Sequence, residues 1–200
     1  MLADLMHTRL LLGPNPAQLV LVFFTYSFMG YVLECIVLTI EKRQLVVNRG
    51  FANHLPFCII YGFGAILGYG LLSPFKNNIV LLFVVGALCA TVFEYLVARL
   101  QLQLFGSFWW DYSKKPFNYQ GILCLESTVG WGFVAIVVIK VLHQIVAGFV
   151  RMVPPQVQTP LAFILLLAYV VDFAQSAREA RQKETEREEL GNVFSNDKLP

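Results

Sequence analysis

Three glutamates, Glu34, Glu94 and Glu126, interrupt long apolar runs in a chain of 200 amino acids. A charged side chain well inside hydrocarbon costs on the order of 3 kcal/mol unless it takes up a proton, meets a partner or lines a water-filled cavity. Proton or cation chemistry is therefore the first reading of these carboxylates, and with Arg49 they define a candidate polar chamber. The bland alternative is a set of ion pairs that fixes helix register, and for Glu126 a carboxylate complementing the positive end of a helix. A second candidate site lies in FGSFWWDYSKKPFNYQG, residues 105–121, where Asp111 and Asn118 sit among seven aromatics. Its alternative is an interfacial anchor. Trp109, Trp110 and Tyr112 would sit at headgroup depth, Lys114 and Lys115 would face the phosphates, and Asp111 and Ser113 would bond a turn.

The elements that carry these groups follow from composition. With 57% apolar and 14% charged residues the chain reads as an all-α integral membrane protein. Five apolar segments approach the length needed to cross about 30 Å of hydrocarbon: residues 17–40, 55–72, 79–100, 123–142 and 161–173, the last one short before it meets Asp172. Segment 1–16 has a very short apolar core, one arginine and two prolines, unlike a cleavable signal, so the first span is expected to be a retained anchor. Glu34 and Glu94 each stand six residues before the end of their span, roughly 9 Å below the boundary. Gly86, Ala90, Glu94 and Ala98 recur every fourth residue, which places Glu94 on a small-residue stripe facing protein; Tyr26, Gly30 and Glu34 form a similar stripe, and Gly64 and Gly68 a GxxxG face. The pairing of Glu34 and YGFG (61–64) with Glu94 and GWGF (130–133) is consistent with a parallel repeat of two-helix units.

Basic residues give the orientation. With five spans, Arg9, Lys76, Lys140 and Arg151 share one side, and the other eleven Lys and Arg residues share the opposite side, which is expected to be cytoplasmic. The N-terminus is then external, and the aromatic loop and the charged segment 174–200 are cytoplasmic. That segment reads as a solvated helix continuing the last span, or a docking element, with Glu179 four residues before Lys183. Cys35, Cys58, Cys89 and Cys124 lie in or at the ends of spans, so no disulfide framework is expected. His54 and Cys58 lack a second ligand pair, so no metal site or other cofactor is expected, and a net charge of +2 gives no reason to expect nucleic acid.

NRGF at 48–51, YGFG at 61–64, FEYL at 93–96 and above all FGSFWWDYSKKPFNYQGILCL at 105–125 resemble the CmpB-like, type IV class of ABC-transporter permeases, over residues 20–145. Where members of that family usually show Gly-Pro after NRGF, this chain has His54 and Leu55, with Pro56 shifted. The resemblance implies a permease-like transport component. The chain has no GxxxxGK[ST] loop, so ATP hydrolysis would come from a separate ATPase, and five spans enclose little volume, which favours a homo-oligomer or a second membrane subunit. Two other classes stay open. One is a noncatalytic scaffold binding membrane lipids or a protein through the aromatic loop. The other is a membrane enzyme acting on lipid headgroups with Asp111, Glu94 or Glu126 as acid, base or nucleophile, for which no hydrolase constellation is present.

Overall fold

The computed structural model describes residues 15–47, 54–108 and 110–196, with side chains at all of these but 41, 105, 180 and 183–196. It shows an all-α membrane protein. Among the described residues four helical stretches are long and apolar enough to cross a membrane: Pro16–Ile40, Ile79–Leu104, Leu125–Met152 and Pro155–Glu179. A fifth apolar helix, Ile59–Phe75, is shorter.

Among the described residues the elements in chain order are α1 (Pro16–Lys42), α2 (Ile59–Leu72) with a 3₁₀ turn Ser73–Phe75, α3 (Ile79–Phe105), β1 (Asn118–Tyr119), β2 (Leu123–Cys124), α4 (Leu125–Val137), α5 (His143–Met152) and α6 (Pro155–Asn196). A π turn, Val138–Leu142, joins α4 to α5 without a break. Local chemistry sets the ends. Asn15 and Asn78 cap α1 and α3 by accepting the N–H groups of Ala17 and Leu81, each at 3.0 Å. Pro16 occupies the first turn of α1, where its missing donor costs nothing. Gly106 ends α3 in the left-handed conformation, φ 68°, which has no side-chain penalty. The apolar run beginning at Leu55 becomes helical only at Ile59, because the Cys58 N–H is taken by the Ser27 carbonyl at 3.0 Å, which ties the entering chain to α1. The last helix extends beyond its apolar run at both ends and takes Pro160 into its interior.

Two apolar clusters hold the helices together. Leu21, Val22, Tyr26, Ala65, Val146, Val150 and Ala162 join α1, α2, α5 and α6. Tyr69, Leu72, Leu82, Ala135 and Ile139 join α2 and α3 to α4 and the π turn. Lipid competes equally well for apolar surface, so close approach of small residues matters more here than apolar area. A Cβ on Gly62 would come within 2.8 Å of the Phe23 ring, one on Gly132 within 2.6 Å of the Phe83 ring, and one on Gly86 would run into Ala135. The GxxxG face expected on α2 is not used in this way. A Cβ on Gly68 would meet nothing within 4 Å and one on Gly64 only an ordinary contact, because the buried line of that helix runs through Gly62, Ala65 and Tyr69, a different helical phase.

Candidate functional site

Glu94 is 6% exposed, on the α3 line that also buries Ala87 and Ala98. Its Oε2 accepts the indole N–H of Trp131 from α4 at 3.1 Å, and its Oε1 accepts the hydroxyl of Tyr112 at 3.2 Å. Ser127 lies 3.5 Å from Oε2 but 2.9 Å from the Cys124 carbonyl, so its one proton goes mainly to the carbonyl. Among the described residues the donors to Glu94 are all neutral. Glu34, half-buried on α1, accepts the Tyr61 hydroxyl from α2 at 2.5 Å, the length of a charge-assisted bond. The Tyr112 phenol lies within electrostatic reach of both carboxylates; burial foremost, then Glu94 and Glu34, push its pKa above the ordinary tyrosine value.

Tyr112 reaches Glu94 from a folded loop. Tyr119 and Leu123 pair across an antiparallel hairpin whose turn residues, Gln120 and Gly121, both have positive φ, the geometry that matches strand twist. The Tyr112 N–H bonds the Gly121 carbonyl at 2.8 Å, and Trp110 donates its indole N–H to the carbonyl of buried Ile122 at 2.8 Å. Asn118 is spent on the loop itself: its amide donates to the carbonyls of Lys115 (2.8 Å) and Ser113 (3.2 Å), and its oxygen accepts the Gly121 N–H at 3.2 Å. Asp111 takes the Ser113 hydroxyl and N–H, the latter at 2.9 Å, and these bonds hold its carboxyl below the usual aspartate range.

The structure therefore brings Glu34, Glu94 and Tyr112 to one place. Glu126 is directed away from it: 68% exposed in the first turn of α4, it forms an ion pair with Lys115 at 2.9 Å. Asp111, Asn118 and Lys114 face solvent on the loop. Arg49, the rest of NRGF and Trp109 lie outside the described residues. Tyr61 and Trp131, the ring donors, had only a faint sequence signal in the paired YGFG and GWGF. A second polar cluster was not foreseen. His143, 1% exposed, has its ring stacked on Tyr69 at 3.7 Å between centroids and its Nδ1 3.3 Å from the Tyr26 hydroxyl. Among the described residues no group of three or more His, Cys, Asp or Glu side chains is placed to hold a metal ion.

An all-helical membrane protein with a carboxylate buried among neutral donors is the class that fold and site define. Within it, the chain belongs to the family described as "Putative ABC-transporter type IV", whose sequence pattern matches residues 21–177. Neither the curated proteins nor the solved structures offer a match. The match takes in α2 to α5, most of α1, the aromatic loop and the first part of α6, so the buried carboxylates lie within the family's shared region.

Proposed function

We propose that the chain is the membrane-embedded part of a transport system, and that Glu94, with Glu34 beside it, forms the polar site at which a proton or small cation is taken up from the cytoplasmic side. A separate ATPase is the partner this reading calls for, with the aromatic loop and C-terminus on the cytoplasmic face. One observation carries the reading: Glu94 is buried in an apolar helix and, among the described residues, held by Trp131 and Tyr112, not by a cation. A carboxylate used only to lock helices is expected to sit in an ion pair; one held by neutral donors exchanges a proton or cation without breaking such a pair. Glu126, already paired with Lys115 at the surface, has a structural role here. The alternative, a lipid-binding scaffold, draws support from Phe117, 82% exposed on the loop beside Lys114 and Lys115.

The test is complementation of a deletion strain, with purification in mild detergent to identify bound subunits and lipids. Glu94→Gln keeps most of the size and hydrogen bonding of the side chain and removes ionisation. It should insert and assemble normally and fail to complement, whereas Glu126→Gln should complement. A co-purifying ATPase supports transport. Full complementation by Glu94→Gln, with one lipid bound specifically and no ATPase, overturns the reading in favour of the scaffold.

A further inference from the structure

The two helix pairs α1–α2 and α3–α4 share more than a glutamate. Moving 60 positions along the first helix of each pair takes Phe23 to Phe83 and Glu34 to Glu94; moving 70 along the second takes Tyr61, Gly62, Phe63 and Ala65 to Trp131, Gly132, Phe133 and Ala135. The contacts move with them. Tyr61 donates to Glu34 as Trp131 donates to Glu94. Gly62 seats the ring of Phe23 as Gly132 seats that of Phe83. The Phe23 and Phe63 rings stand edge to face at 4.9 Å and 75°, and those of Phe83 and Phe133 at 5.0 Å and 69°. Ala65 shares a buried cluster with Tyr26, and Ala135 meets Gly86, the counterpart of Tyr26. Residues 61–70 and 131–140 also follow the same succession of buried, half-buried and exposed positions, except at the fourth.

Apolar composition alone produces matching letters, but it does not reproduce three contacts in one register. We infer that α1–α2 and α3–α4 are two copies of one structural unit, and that Tyr61 and Trp131 are equivalent positioning residues that hold Glu34 and Glu94 at like places in the two copies. The ten-residue difference between the two shifts lies in the end of the first helix, the connection and the start of the second helix. Tyr61 is the third residue of α2 and Trp131 the seventh of α4, so α4 starts about one turn earlier. That extra turn carries Glu126 and Ser127, and the longer connection carries the hairpin that delivers Tyr112. In the second copy the loop supplies a donor, Tyr112, to the glutamate. That the two carboxylates serve transport rests on the reading above; the equivalence of their seats does not.

The chain has three tryptophans, which makes an optical test direct. With Trp109→Phe and Trp110→Phe, Trp131 is the sole indole, and Glu94→Gln should shift its emission. Adding Tyr61→Trp and Trp131→Tyr moves the sole indole to position 61. Its emission should match that of Trp131 and should shift in the same direction on Glu34→Gln. Emission of a water-exposed indole, or no response to Glu34→Gln, overturns the equivalence. If the exchanged chain does not fold, cysteine pairs at 23 with 63 and at 83 with 133, in a background free of native cysteine, decide the matter: both should crosslink to the same extent, and crosslinking of one alone overturns it. The positioning role is read by rescue. Trp131→Phe, which lacks a donor, should impair complementation and Trp131→Tyr should restore it; native behaviour of Trp131→Phe removes that role while leaving the fluorescence result standing.

Discussion

His54 and Asp172 lie 118 residues apart in sequence and meet at 2.8 Å, ring Nδ1 to carboxylate Oδ1. Asp172 is 3% exposed and also accepts the backbone N–H groups of His54 at 3.2 Å and Leu55 at 2.8 Å. One carboxylate on α6 thereby fastens the chain that enters α2, with Glu179 3.6 Å from the other ring nitrogen. Hydrogen bonds to a charged group contribute about 1.5–3 kcal/mol each. Asp172→Ala is expected to lower stability by about 3 kcal/mol or more, because it orphans two backbone donors together. Asp172→Asn, keeping one oxygen, should cost less. Thermal unfolding in detergent, with protease cleavage near Leu55 as the local readout, checks both.

The fold class and the family were legible because both rest on features local in sequence: apolar length, and the WWDYS and PFN-x-x-G loop. The line Gly86, Glu94 and Ala98 was legible for the same reason, since a four-residue spacing states which side chains share a helix face. What Glu94 meets was not, because Trp131 is 37 residues away, across a loop whose hairpin geometry decides the register. Glu126 shows the opposite limit of scale. It is five residues from Trp131 in sequence, yet it projects into solvent because that spacing places the two on different faces of α4. Asp172 stood out only as the end of an apolar run, since nothing near it in sequence announces the backbone donors it accepts.

The loop should loosen in acid. Because Ser113 bonds hold the Asp111 carboxyl below the ordinary aspartate value of about 3.9, its contribution is present above that value and is lost as pH falls through the lower folded one. Protease susceptibility of residues 106–123 should accordingly rise only in that acid range, and Asp111→Ala should show raised susceptibility already at neutral pH. An unchanged profile in the variant would remove the turn from the account.

Gly121 reinforces the same turn from the other side. Its φ of 68° is one that other residues adopt at a cost of about 1–2 kcal/mol. A Cβ there would also press on Asp111 Oδ1 at 3.0 Å. Gly121→Ala should release Tyr112 from Glu94, giving the same complementation defect as Tyr112→Phe, with insertion unchanged on membrane fractionation.

Glycines on the helices should separate into two groups. A Cβ on Gly30 would overlap the root of the Tyr61 side chain, which cannot swing aside as a ring tip can, so Gly30→Ala should displace the donor from Glu34 and destabilise by about 1–3 kcal/mol. Gly68→Ala meets open space and should be neutral or raise stability by up to about 1 kcal/mol through better helix propensity. Unfolding temperatures of the two single variants give the comparison directly.

The π turn at Val138–Leu142 gives the long stretch from Leu125 to Met152 the form of a crank. In an unbroken helix Gly132 and Val150, five turns apart at about 3.6 residues each, would lie along one straight line. The wider turn inserts about one extra residue and twists the second throw by roughly 100° relative to the first. Gly132 can then lie on Phe83 of α3 while Val150 joins Leu21 and Val22 of α1. One rod is thus geared to both helix pairs at different levels, and the π turn itself lies beside His143, whose ring stands between those of Tyr26 and Tyr69. Any rotation of one pair about its own axis would be handed to the other through that turn as well as through the cluster in which Tyr69 of α2 meets Leu82 of α3.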